Sequence, residues 1–321
     1  MRRPGLATIT AFALLLAGAD AARAEVLASV PAPTTVAAGH GVIAWSTLDP
    51  ADGRYWLTAS VGGVVGRLPI SPRSVPFDVD VGDLDGRTVL TYSRCAHDPV
   101  RLVRPPLPDW TGGLGCRPWW YDPATGIERR FTGMHVPTGS SIVLPSAAGG
   151  ILAFAMTSPG QVAHIYRTVV ARPRRLSEAR LGTRTPYAAP TDVEVSGSRV
   201  AVIWDGLTSP GCKTLNPTLQ ATGSISEVHL PSIGEDRRLA RTCESSPTLA
   251  FTSVAWTDTS VAFEAISATA QSSVLERRSR SGALLGRQPL PTGATWLDLD
   301  DGTVVAVVVD AATNGYDIVL S

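Results

Sequence analysis

The sequence predicts an all-β protein, a six-bladed β-propeller with four-stranded antiparallel blades, and three observations predict it. Long stretches of helical period are nearly absent, while short alternating β-branched segments closed by Gly, Pro and Asp turns fill the chain. The second strand of each unit opens on a recurrent apolar anchor: Val42, Val89, Ile151, Val200, Val261 and Val304. The anchors are 43 residues apart at the closest (Val261 to Val304) and 62 at the widest (Val89 to Ile151), a period that points to propellers. The ends also complement each other. The last unit shows three strands, closing on Tyr316-Asp317-Ile318-Val319-Leu320, and a spare strand, Val26 to Val30, precedes the first. Pairing the spare strand with the last unit closes the ring and removes an exposed edge.

Residues 1–24 read as a signal peptide. Arg2 and Arg3 form a positive start, Leu6 to Gly18 is apolar, and Ala22-Arg23-Ala24 is a small-x-small cleavage site, so the mature chain is expected to begin at Glu25. The apolar run is shorter than the ~20 residues a membrane span needs. Residues 25–321 are then expected to form a single propeller domain, soluble, monomeric and extracytoplasmic, whether secreted, periplasmic or held at the cell envelope. Twenty-eight Lys and Arg balance 28 Asp and Glu, which argues against general binding to nucleic acid or to an anionic membrane.

Each unit has an inner hairpin followed by two outer strands. Pro76 to Tyr92 is the clearest hairpin, with Asp85-Gly86 at its turn, as such turns favour. Asp192 to Val195 and Trp296 to Leu299 are further inner strands. Two units are about fifteen residues too long, and these hold the four cysteines. In the second, Ala96 to Gly115 is inserted between Cys95 and Cys116; in the fourth, extra chain begins near Gly206. Four cysteines in an oxidising compartment permit three pairings. The local pairs Cys95–Cys116 and Cys212–Cys243 are expected because each closes a loop within one unit.

The units Asp85 to Tyr92 and Trp120-Tyr121-Asp122-Pro123-Ala124-Thr125-Gly126-Ile127-Glu128-Arg129-Arg130-Phe131 resemble the propeller repeats of the TolB type. In that pattern a Gly turn leads into an apolar strand, and an aromatic strand is followed by an Asp-x-x-Gly turn. The resemblance implies a class of periplasmic or extracellular interaction platforms. Fold is shared more widely than function, so it implies nothing finer.

Candidate chemistry is sparse. There is no G-x-S-x-G, and the five histidines form no H-E-x-x-H. Inner strands of alternate units carry Asp78, Asp80, Asp192, Glu194 and Asp298, expected at the mouth of the central channel. They either satisfy backbone and Arg groups there or gather as oxygen ligands for a hard cation such as calcium. Gly82-Asp83-Leu84-Asp85-Gly86 resembles the start of a calcium loop, but Arg87-Thr88-Val89 runs straight into a strand, and a polar turn explains it better. Glu264 replaces an apolar residue and is expected at a solvated or Arg-paired blade edge. In the insertion, Trp110 and His97 are expected to be exposed contact residues. The reading is a non-catalytic interaction module for a protein or envelope ligand, without a cofactor. The alternative is a metal-assisted, lactonase-like propeller hydrolase using the channel carboxylates.

Overall fold

The computed structural model describes residues 24–99, 102–104, 107–108, 110–158, 163–170, 172–179, 189–213, 222–232, 235–243, 248–257, 259–267 and 272–321. Within 102–108, 172–179, 206–213 and 222–226, and at 235, 243, 248–249 and 267, only the backbone is considered. The signal peptide lies outside these residues, apart from Ala24.

Six four-stranded antiparallel sheets form the fold. Blade 1 comprises Val36–Gly39, Val42–Asp49, Arg54–Val61 and Val64–Arg67; blade 2, Asp80–Leu84, Arg87–Arg94, Arg117–Asp122 and Ile127–Arg130; blade 3, Ser141–Ala148, Ile151–Thr157, His164–Val169 and Arg172–Ala179. Blade 4 comprises Ala189–Ser196, Arg199–Lys213, Thr222–Ser232 and Glu235–Cys243, and blade 5, Thr248–Trp256, Ser260–Ser267, Ser273–Ser279 and Leu284–Pro289. Blade 6 is Ala294–Asp300, Thr303–Asp310 and Gly315–Leu320, completed on its outer edge by Glu25–Val30. That last strand runs antiparallel to its partner from Glu25 opposite Leu320 to Val30 opposite Tyr316. The ring is therefore closed by the pairing that its two ends imply.

Inner strands follow one another around the ring, each touching the next. Every other residue of a strand faces one neighbouring blade, so the core is a set of seams between blades. Trp45, Trp204, Phe77, Tyr92, Phe154 and Phe263 are fully buried there. Glycine is required at one such approach: a Cβ on Gly82 would lie 1.7 Å from the carbonyl oxygen of Ala147 in the next blade. Asp85 and Gly86 both take positive φ, 53° and 73°, which is the turn this pair favours.

Blade 4 differs from expectation. Its extra residues do not leave the sheet as a loop at Gly206. Leu207 pairs with Ile225, Thr208 with Ser224 and Lys213 with Thr222, so they lengthen two strands into a long hairpin. Glu264 is also not at a solvated edge. It is fully buried in the second strand of blade 5 and accepts a hydrogen bond from Thr252. A hydroxyl on the facing strand meets the carboxylate that the apolar pattern interrupts.

Candidate functional site: the two ends of the central channel

The inner strands all run in one direction, from one end of the channel to the other. Their starts surround a cavity of ≈ 20 Å³, lined by Asp78, Asp80, Asp192, Glu194 and Asp298 among others. Their ends, with the hairpin turns that follow, surround a funnel of ≈ 1100 Å³. The five carboxylates predicted for the channel are thus brought to it together, and Glu194 lines both spaces.

Three of them have a defined structural task. Asp78 Oδ2 accepts from Leu144 N (2.8 Å), Asp192 Oδ2 from Val254 N (2.7 Å) and Asp298 Oδ2 from Ala38 N (2.7 Å), each on the inner strand of the following blade. At the three other seams a serine accepts from a backbone N–H of the following blade. Ser46 does so from the second strand of blade 1 to the segment just before the inner strand of blade 2, and Ser146 and Ser253 do so between inner strands. Ser46 Oγ accepts from Phe77 N (2.8 Å), Ser146 Oγ from Val195 N (2.8 Å) and Ser253 Oγ from Leu297 N (3.0 Å). The seams alternate Ser, Asp, Ser, Asp, Ser, Asp around the ring. This is why acids occur in every second unit of the sequence. The serines were legible only by asking what the acid-free blades place at the same seam.

Asp78 is the best-compensated acid. Its Oδ1 meets Arg73 Nη1 at 2.9 Å and Ser93 N at 3.0 Å, and both side chains are almost wholly buried. Arg73 also holds Asp98 (3.0 Å) at the base of the insertion. No motif marks Arg73 in the sequence; Asp78 lies five residues further on and Asp98 twenty-five.

Among the described residues the other four acids have no cation paired with them, although Asp192 and Asp298 each accept two backbone N–H groups. Burial pushes the Asp80 carboxyl up to about 6, against hydrogen bonds from Ser146 and Glu194 that pull it down. Burial, with the charge of Asp80 as a smaller cause, pushes Asp192 up to about 7. Glu194 and Asp298 are raised well above the usual carboxyl range, first by burial and then by their acidic neighbours. Asp192 and Glu194 keep part of their surface open, while Asp80 and Asp298 are buried. Among the described residues no three His, Cys, Asp or Glu side chains are grouped as ligands for a metal ion. Asp83 is a turn residue, its Oδ2 accepting from Gly149 N (2.9 Å) in the next blade.

The insertion closes the cavity end. Cys95 and Cys116 form a disulfide (S–S 2.03 Å), as local pairing predicts; the side chains of Cys212 and Cys243, the second expected pair, lie outside the described residues. Trp110, expected exposed, is only 3% exposed. Its 3-10 turn, Trp110–Gly112, folds inward. The indole donates to Pro76 O (3.3 Å) and packs edge-on against Trp296 of blade 6 with ring centroids 6.4 Å apart. Gly113 follows with no room for a side chain, since a Cβ would lie 2.6 Å from Cys116 Sγ. Thus Trp110 is a plug, held because a large aromatic gains more from burial than from solvent. His97 does stay exposed, its backbone bridged to Leu114.

A second titratable cluster sits on the outer strands of blade 4, away from the channel. His229 lies between Glu227 (2.8 Å) and Asp236 (3.0 Å), with Arg238 also on Glu227 (2.9 Å). Burial pulls the imidazole pKa down, but the hydrogen bonds to Asp236 and Glu227 outweigh it and raise the value. With a carboxylate on each ring nitrogen, both act as donors, which fits the charged imidazole. The cluster ties two strands together.

No family model and no curated protein matches the chain. Solved structures share its architecture. A puromycin hydrolase is similar at TM-score 0.50 and 14% identity, over 88% of this chain and 51% of that one. TolB from Acinetobacter baumannii is similar at TM-score 0.49 and 11% identity, over 88% of this chain and 64% of that one. A chain of the mitotic checkpoint complex is similar at TM-score 0.49 and 13% identity, over 100% and 99%. The chain spans about half of the hydrolase and under two thirds of TolB. At these identities the likeness is one of fold: an all-β, six-bladed propeller whose structural neighbours include TolB. No helix among the described residues is long and apolar enough to cross a membrane.

Proposed function

We propose that this chain is an exported, non-catalytic propeller that binds a protein or cell-envelope ligand through the funnel at the hairpin end of its channel. The observation that carries the reading is the difference between the two ends. One is plugged by Trp110, and the other opens into a cavity of ≈ 1100 Å³, the kind of concave surface where partners bind. The Cys95–Cys116 disulfide supports an oxidising, extracytoplasmic location. This moves the expected binding face from the insertion to the opposite side of the disc.

The hydrolase alternative draws less support. The carboxylates line a cavity of ≈ 20 Å³, about the room one water needs, and three of them already hold neighbouring blades together.

Photo-crosslinking in the producing cell tests the proposal. A benzophenone side chain at Ser196 or Leu285, on the funnel wall, is expected to trap a discrete partner, and one at His97 is not. The trapped chain should begin at Glu25. Crosslinks from His97 alone, or a chain retaining residues 1–24 in the cytoplasm, overturn it.

A further inference from the structure

The floor of the funnel gathers carboxylates with no cationic side chain among them. Asp80, Asp192, Glu194 and Asp298 line the small cavity, and no Arg, Lys or His does. The one buried cation nearby, Arg73, is committed to Asp78 and Asp98. Arg277 and Arg287 reach the funnel from the outer strands of blade 5, and Arg287 is paired with Glu276 (2.9 Å).

Asp80 differs from the seam acids in a way that points to a ligand. It is 8% exposed, and although Ser146 and the Val81 and Ala147 backbone hold the carboxylate, its Oδ2 is buried with no hydrogen-bond partner. Glu194 lies within hydrogen-bonding reach of it and stands at the junction between cavity and funnel. A buried carboxylate oxygen left unpaired is costly, and two carboxylates sharing a site cannot both stay charged without a counter-ion.

The available space and donors select the counter-ion. Calcium takes about 6–8 oxygens close around it, and no three acids among the described residues are grouped for that. An ammonium group needs only two or three acceptors at hydrogen-bond distance. A cavity of ≈ 20 Å³ admits a group of its size and nothing bulkier. Trp110 packs over the other end of the cavity, and Glu194 joins the cavity to the funnel.

We propose that the channel floor is a binding site for a primary ammonium group on a slender alkyl chain, received by Asp80 and Glu194 through the funnel. The group is either a small free amine or the lysine side chain of a partner segment. This deepens the partner-binding reading of the same funnel and rests on it for the second source.

Titration calorimetry of the mature chain at pH 7 tests it with 1,4-diaminobutane and with the blocked peptide Gly-Gly-Lys-Gly-Gly. 1,4-Butanediol, the acetyl-lysine peptide and calcium chloride are the controls. Saturable 1:1 binding of the diamine, the lysine peptide or both is expected, with none for the neutral controls. Diamine alone assigns a small-molecule source; the peptide alone assigns a partner segment. Asp80→Asn or Glu194→Gln should weaken binding on the order of 30-fold. Ser196→Trp, on the funnel wall two residues beyond Glu194 on the same strand, should block binding while leaving the melting temperature unchanged, so a floor variant that misfolds does not leave the question open. Calcium binding that displaces the diamine, equal affinity for butanediol, or no saturable binding in folded wild type overturns the proposal. If funnel crosslinks to a partner persist while amine binding fails, the partner-binding reading stands and the ammonium site alone is lost.

Discussion

The two ends of the channel are built from the same six inner strands and have opposite chemistry. At the end where the strands begin, an insertion clipped by Cys95–Cys116 drives Trp110 against Trp296 and closes the axis. At the end where they finish, the turns are short and Gly-rich, and among the described residues nothing folds across the funnel. The difference comes from one inserted segment, not from the blades. It shows that an insertion on a propeller can serve to remove a face from use, leaving recognition to the plainer one.

The largest effect is expected where the wall of the open end is tightest. Gly82→Val places a side chain on the Ala147 carbonyl, and a loss of more than about 3 kcal/mol is expected in urea unfolding. A cooperative transition at the wild-type midpoint would show that blades 2 and 3 are not in that contact.

Next comes the plug. Trp110→Ala removes a buried indole, and about 3–5 kcal/mol is expected from such truncations. It should also make the cavity end reachable, so that acrylamide quenches Trp296 emission more than in wild type. Lost stability without a change in quenching would mean that Trp110 packs but does not seal. Replacing Cys95 and Cys116 by Ser together should cost ~3 kcal/mol, the worth of a loop of this length. It should loosen the plugged end and leave amine binding at the other intact.

The smallest effect is one of pH. Burial pushes the Asp80 carboxyl up to about 6 in the folded chain from its ordinary value of 3.8, so the folded form holds its proton more tightly than the unfolded one. The resulting stability is full below about pH 4 and is lost as pH rises through about 6. In amine-free buffer the melting temperature should therefore fall between pH 4 and pH 7. Asp80→Asn should flatten part of that fall, by on the order of 1 kcal/mol. An unchanged slope would show that other groups set it.

Much of the fold was legible because strand period, turn chemistry and the unmatched ends all depend on local residues. Val26 to Val30 could be assigned to blade 6 only because that blade lacked a strand. The channel acids were legible as a set for the same reason: they recur at one place in the repeat. Their division of labour was not. That Asp192 reaches Val254 N while Asp80 keeps one oxygen, Oδ2, without a donor depends on how one inner strand is offset against the next, which no single strand encodes. Trp110 was misread because its flanks, Asp109 and Gly112-Gly113, look like those of an exposed loop. Its burial depends on Trp296 and Pro76, which lie 186 and 34 residues away along the chain. Blade 4 was misread because extra residues between two strands can leave the sheet or extend it, and composition does not choose.

Hydroxyl-radical footprinting of the native chain, resolved by tryptophan, tests the asymmetry of the channel most directly. Trp256 lines the funnel, whereas Trp110 and Trp296 line the plugged cavity. Trp256 is expected to be oxidised much faster than either. Oxidation of Trp110 as fast as that of Trp256 would contradict the asymmetry.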